Sequence, residues 1–118
     1  EYPFEEAPTI IRQPDYLSGT CLLIKSKVFK KIGFLDEKYF LYYEDVDFCL
    51  RAKNAGFSLA LNPKTAIYHE LSASSNKLGK QKIKILANSH RRFFLPYFSP
   101  LAWPFATAFN LYLVKKSL

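Results

Sequence analysis

Cysteine is scarce in this chain: only Cys21 and Cys49 occur among 118 residues. Two thiols make no disulfide framework, and without paired Cys-x-x-Cys spacing they make no structural zinc site. Both fall in apolar stretches and read as small buried hydrophobes of a reducing compartment. Nor does Glu1-Tyr2-Pro3-Phe4-Glu5-Glu6 read as a signal peptide, having neither a basic start nor an apolar run. Acidic residues are the scarcer charge, ten against seventeen Lys and Arg, for a net charge of +7. That balance points to an anionic partner such as a membrane surface, a nucleotide or a nucleic acid. No recognised nucleic-acid module accompanies it, so nucleic acid is not an expected partner. The lysines gather in residues 25–31 and 77–84, which is also how solvated helix faces look.

Charge is absent altogether from residues 93 to 114, a stretch bracketed by Arg91-Arg92 and Lys115-Lys116. Its length is close to the roughly 20 residues that span a bilayer. Pro96, Pro100 and Pro104 would interrupt a single straight helix, so an interfacial or docking segment is the better reading. Trp103, Tyr97, Tyr112 and the flanking cations suit the level of lipid headgroups. Packing on a neighbouring part of the protein, or on a second copy of the chain, explains the same residues.

What is present is a chain with 49% hydrophobic residues, eleven Phe and eight Tyr, folded rather than disordered and long enough for one compact domain. Pro3, Pro8 and Pro14 make residues 1–15 an extended arm, continuing a missing N-terminal half. Residues 16–24 read as a buried strand in which Gly19 permits a close backbone approach. Ser26 can cap a short helix carrying Val28, Phe29 and Ile32, with Gly33 as its stop. A second helix is expected over residues 43–55, with Val46, Cys49, Leu50 and Lys53 on one face, an Asp47–Arg51 pair one turn apart, and Gly56 at its end. Residues 57–61 and 65–69 read as two short strands around the Asn62-Pro63-Lys64 turn. A polar stretch, 71–76, precedes a basic helix over about 80–94 with Ile83, Leu86, Ala87 and His90 on one side. His90 has no evident partner and reads as structural. No internal repeat is visible.

The residues that carry chemistry stand at the start of the second helix. Glu44 and Asp45 lie in its first turn, where free backbone amides and the helix dipole favour a carboxylate. Acids there also simply stabilise the helix, and an isolated pair decides nothing. The longer string is more specific: Ser18-Gly19-Thr20-Cys21-Leu22-Leu23-Ile24, then Gly33-Phe34-Leu35-Asp36-Glu37, then Phe40-Leu41-Tyr42-Tyr43-Glu44-Asp45-Val46-Asp47-Phe48-Cys49-Leu50-Arg51 with Ala55-Gly56. In order and spacing these motifs resemble family 2 glycosyltransferases, the bacterial rhamnosyltransferase-like members most of all. The resemblance covers about residues 16–98.

The resemblance implies an α/β chain, the C-terminal part of a GT-A fold, with short strands, flanking helices and an apolar helical tail. With the proline-rich arm (1–15) and the basic, apolar docking segment (91–118) read from composition, the resemblance makes residues 16–90 the acceptor-side glycosyltransferase region. It implies an inverting transfer of a sugar from a nucleotide-sugar donor to a hydroxyl of a glycan or lipid-linked acceptor, in polysaccharide biosynthesis. Asp45 matches the catalytic base and Glu44 its acceptor-contacting neighbour. Gly19, with Thr20, matches the donor-sugar side, and Arg91 and Arg92 are candidates for donor or lipid phosphates. His69, in Ile67-Tyr68-His69-Glu70, matches a ligand of a divalent cation, Mn or Mg, in the intact enzyme. One histidine does not hold such an ion, which takes about six ligands, so this portion alone is expected to hold none firmly. No Asp-x-Asp motif occurs in its N-terminal part, and Asp45-Val46-Asp47 lies in the wrong element to be one. Leu71 departs from the glycine frequent in relatives. The missing N-terminal half, an anionic membrane surface and a homo-oligomer of this portion complete the expected partners. The expected place is cytoplasmic, peripheral at the inner face of the cell membrane, and the portion alone is expected to be inactive.

Overall fold

A computed structural model describes residues 10–69, 77–79 and 81–115. The chain divides into two compact units rather than the one its length suggests: Glu1–Leu35 with Asp45–His69, and Asp36–Glu44 with Glu70–Leu118. Each has its own buried residues. The elements are α1 (Ser26–Ile32), α2 (Glu44–Asn54), α3 (Gln81–Tyr97), a 3₁₀ turn (Pro100–Ala102) and α4 (Trp103–Lys115).

In the first unit α1 begins one residue earlier than a Ser26 cap requires. Lys25 holds the cap position, gives no side-chain hydrogen bond, and leaves Ser26 as the first helical residue. The stop is as expected. Gly33 takes φ 77°, and its N–H donates to the Phe29 carbonyl at 2.9 Å, a left-handed ending that glycine enters without steric cost. Gly56 ends α2 in the same way, at φ 87°. The buried face of α2 lies to one side of the expected one. Asp47, Phe48, Cys49 and Ala52 are buried, whereas Val46 and Leu50 are half-buried and Lys53 is exposed. The core explains the offset: Val28, Phe48 and Ala52 pack together, joined by Ile24, Phe29, Ile32 and Phe57. Phe48 and Ala52 are spaced i, i+4 and so meet α1 together.

The expected strands are corrected. Among the described residues there is no strand, and residues 16–24, 57–61 and 65–69 run as irregular or extended chain. One isolated antiparallel bridge, Arg12 with Leu61, is the only sheet-like pairing among them. A strand exists by pairing with a neighbour, and among the described residues these segments have none beyond the Arg12–Leu61 bridge. The bridge lays the described end of the arm against its own unit, and an Asp15–Lys53 ion pair of 3.0 Å adds a contact at the surface. Residues 1–9 and 70–76, where most of the arm and the polar stretch fall, lie outside the described residues.

In the second unit the basic helix runs longer than expected, to Tyr97, and carries Pro96 in its last turn. Pro100 opens the 3₁₀ turn, capped by Ser99, and Pro104 occupies the first turn of α4, where a missing N–H costs nothing. The prolines therefore break residues 93–114 into two helices that pack on each other. Among the described residues no helix is long and apolar enough to cross a membrane. His90 is buried between aromatic rings, 4.2 Å from Phe94 and 4.8 Å from Phe109 between centroids. Burial lowers its pKa, with the neighbouring Asn110 side chain opposing the shift, so it serves as a neutral packing residue.

Candidate active site at the start of helix α2

The approach to α2 is unusual for its residue types. Tyr42 and Tyr43 have φ of 69° and 70°, a left-handed conformation that is a genuine outlier for bulky side chains and costs on the order of 1–3 kcal/mol each. Within the second unit, Tyr43 is held by Phe93 at 5.2 Å, His90 at 5.7 Å and Phe94 at 6.4 Å. Aromatic packing thus offsets backbone strain next to Glu44, which is half-buried. No sequence signal marked this turn, because tyrosine is not a residue of left-handed turns.

Asp45 is fixed by two backbone donors. Its Oδ2 accepts from the N–H of Gly19 at 2.8 Å, across 26 residues of sequence, and its Oδ1 accepts from the N–H of Val46 at 2.8 Å. A carboxylate offers about four lone-pair positions, so each oxygen keeps capacity for a proton. The close approach at Gly19 is therefore to Asp45: a Cβ there would lie 3.5 Å from the Asp45 Cβ and Oδ2, an ordinary contact. Thr20 is beside it and exposed, its hydroxyl 2.8 Å from that of Ser18. Gly19, Thr20 and Asp45 are thereby brought together in the first unit.

Asp47, two residues on, has a different task. It is 4% exposed and accepts from Arg51 Nε at 2.7 Å. Arg51 then donates through Nη1 to the Ile32 carbonyl at 2.8 Å and through Nη2 to the Phe34 carbonyl at 3.0 Å, with its guanidinium over the Phe48 ring. The expected pair is a clamp that ties α2 to the end of α1 and satisfies carbonyls left open there.

Cys49 is 2% exposed; its Sγ accepts from the Leu17 N–H at 3.4 Å and donates to the Leu17 carbonyl at 3.7 Å. Burial raises its pKa, reinforced by the charge of Asp45, against the Leu17 hydrogen bond and Lys53. Cys21 departs from the expected burial and is exposed. A maleimide added at neutral pH is expected to label Cys21 within minutes and Cys49 only in denaturant. Mass spectrometry after digestion distinguishes the two, and equal rates would refute the packing of Cys49.

His69 is exposed at the end of the first unit, and Glu70 lies outside the described residues. Among the described residues no group of three or more His, Cys, Asp or Glu comes together to hold a metal ion, so the side chains seen here do not fit a cation site by themselves. Arg91 and Arg92 are exposed on α3 in the second unit. They border a cavity of about 570 Å³ walled by Phe40, Ile85 and Leu95, and Arg92 Nη1 donates to the Lys38 carbonyl.

Comparison with known proteins agrees with the motif order. A profile described as glycosyltransferase like family 2 matches residues 11–88. A low-salt glycan biosynthesis hexosyltransferase of Haloferax volcanii is 37% identical over 49 residues, covering 42% of this chain and 16% of the relative. An N-acetylglucosaminyl-diphospho-decaprenol L-rhamnosyltransferase of Mycobacterium tuberculosis is 35% identical over 80 residues, 68% of this chain and 25% of the relative. A dTDP-rhamnosyl transferase of Shigella flexneri is 32% identical over 76 residues, 64% of this chain and 23% of the relative. The chain thus spans a quarter or less of the length of these curated relatives, and no solved structure matches it. With its Glu44-Asp45 helix inside the matched region, the chain belongs to the glycosyltransferase like family 2.

Proposed function

We propose that these residues form the acceptor-side part of an inverting glycosyltransferase that moves a hexose, of rhamnosyl type, from a nucleotide-sugar to a hydroxyl of a glycan or lipid-linked acceptor. Family membership implies a GT-A fold and sugar transfer. The observation that carries the finer reading is the Asp45 carboxylate, held on the Gly19 amide at the start of α2. Inversion needs one carboxylate to take the proton of the acceptor hydroxyl as that oxygen attacks the anomeric carbon. Asp45 takes that role and Glu44 contacts the acceptor. Gly19 and Thr20 border the donor sugar. Arg91 and Arg92 receive phosphate oxygens, for which guanidinium forks are suited. The nucleotide of the donor is held mainly by residues outside this chain, which alone transfers no sugar.

The test uses a polypeptide carrying this sequence with its natural flanks, a panel of nucleotide-hexoses that includes dTDP-rhamnose, and a diphospho-polyprenol-linked N-acetylglucosamine acceptor. Transfer with inverted anomeric configuration, read by NMR, supports the proposal. Transfer with retention overturns the inverting mechanism, and no transfer from any donor overturns the acceptor class. A divalent cation in the whole enzyme is part of the proposal, with His69 one ligand and the others supplied from outside this chain. Activity that survives both exhaustive chelation and His69→Ala would remove it.

A second reading is favoured by α4 and the turn before it. Leu101, Phe105, Leu111 and Tyr112 are between 59% and 84% exposed, and Lys115 ends the helix. Apolar side chains beside cations suit peripheral attachment at an anionic cytoplasmic membrane face. Flotation with phosphatidylglycerol vesicles, lost on Leu101→Ser with Phe105→Ser, is the expected result. Docking of this kind is compatible with catalysis.

A further inference from the structure

The segment that leads into Glu44 is fastened to α3 at three places. Residues 36–44 and α3 belong to the same compact unit. A turn opens the segment: the Asp36 carboxylate accepts from the Lys38 N–H at 2.9 Å, and the Asp36 carbonyl accepts from the Tyr39 N–H at 3.0 Å. Arg92 Nη1 then donates to the Lys38 carbonyl, and Ser89 Oγ donates to the Leu41 carbonyl at 2.7 Å. The Tyr43 ring closes the series, seated against His90, Phe93 and Phe94.

Ser89 is the informative member. It is 5% exposed and lies inside α3, where a serine hydroxyl ordinarily bonds a carbonyl of its own preceding turn or faces water. Here it donates to a carbonyl 48 residues back along the chain. That carbonyl belongs to the peptide unit entering Tyr42, so holding it constrains φ at the first of the two left-handed tyrosines. Tyrosine does not favour that conformation. With the carbonyl released or the Tyr43 ring withdrawn, the two residues relax toward ordinary backbone. The chain then leaves Tyr43 in another direction and takes the Glu44 side chain with it.

We propose that Ser89 and Tyr43 are positioning residues for the acceptor: through residues 41–43 they aim the Glu44 carboxylate at it. This rests on the reading of Glu44 as the acceptor contact. Their effect falls on acceptor binding, because a contact made equally in the ground and transition states changes KM and leaves kcat as it was.

Initial-rate kinetics with the flanked polypeptide and the acceptor of the test above measure the effect. Ser89→Ala is expected to raise the acceptor KM about fivefold, the scale of one lost hydrogen bond, with kcat and the donor KM unchanged. Tyr43→Asn removes the ring but keeps a residue that tolerates the left-handed conformation. An acceptor KM raised about tenfold, the upper scale of an aromatic contact, is the expected result. Glu44→Gln serves as the reference: an unchanged acceptor KM there removes the reading of Glu44 and the proposal with it. Where that KM rises, Ser89→Ala added to Glu44→Gln should raise it less than about twofold further, because both changes act through one carboxylate. The same fivefold rise in both backgrounds makes Ser89 a structural residue and overturns the proposal. An unchanged acceptor KM in both Ser89→Ala and Tyr43→Asn overturns it too, as does a loss confined to kcat. Those three outcomes leave the role of Glu44 standing.

Discussion

Asp45→Asn in the intact enzyme is expected to lower turnover about a thousandfold, within the range that removing a general base produces, while leaving affinity for the nucleotide-sugar within about threefold. Asparagine keeps an oxygen that can accept from the Gly19 N–H and gives up only the acceptor for the Val46 N–H, so the main loss is one of proton acceptance. The measurement is initial-rate transfer with donor affinity from isothermal titration. Turnover within a factor of five of the parent would take Asp45 out of the mechanism.

Gly19 supplies a companion result that separates positioning from chemistry. Its φ lies outside the left-handed region, and a Cβ would make only ordinary contact with Asp45, so Gly19→Ala should retain most turnover in an enzyme whose donor sugar leaves room for a methyl group. Gly19→Pro deletes the N–H that holds Oδ2 and should reduce turnover by about tenfold or more, since a misplaced base is a poor one. If Gly19→Ala instead abolishes activity with Asp45 still in place, the donor sugar crowds this glycine. The resemblance placed it on that side.

Much of the site could be read in the sequence because its parts are local. The Glu44-Asp45 pair, the glycine stops at Gly33 and Gly56 and the Asp47–Arg51 spacing depend on helix geometry over a few residues. The strands could not be confirmed in the same way. The residues 21–24 have the apolar, β-branched or leucine-rich composition of a strand, but a strand is a relation between segments, and none of the described residues pairs with them. The burial of α2 was offset for a related reason. Periodicity gives a helix an apolar side, whereas the position of α1 decides that Phe48 and Ala52 carry the contact. The left-handed pair Tyr42-Tyr43 was invisible because local preference opposes it and the aromatic cluster around Tyr43 overrides that preference.

Asp47→Ala is expected to destabilise the chain by about 3 kcal/mol, near the whole margin of a small unit, while leaving the chemistry of Asp45 intact in whatever fraction stays folded. The mechanism is specific. Asp47 is almost wholly buried, and its loss strands a guanidinium whose other two contacts, to the Ile32 and Phe34 carbonyls, fix it in place. Asp47→Asn keeps an acceptor for Arg51 Nε and should cost about 1 kcal/mol, the scale of weakening one hydrogen bond. Arg51→Lys should cost about 2 kcal/mol, because a single ammonium cannot reach a carboxylate and two diverging carbonyls as the planar fork does. Urea unfolding of the three variants gives the order, and the double variant Asp47→Ala with Arg51→Ala should cost less than the sum of its parts, as coupled groups do. The two aspartates of Asp45-Val46-Asp47 then separate cleanly: substitution of the first lowers turnover at unchanged stability, and substitution of the second lowers stability at unchanged turnover per folded molecule. A reversed pattern would make Asp47 the reactive carboxylate and Arg51 its orienting partner, which the buried 2.7 Å contact between them opposes.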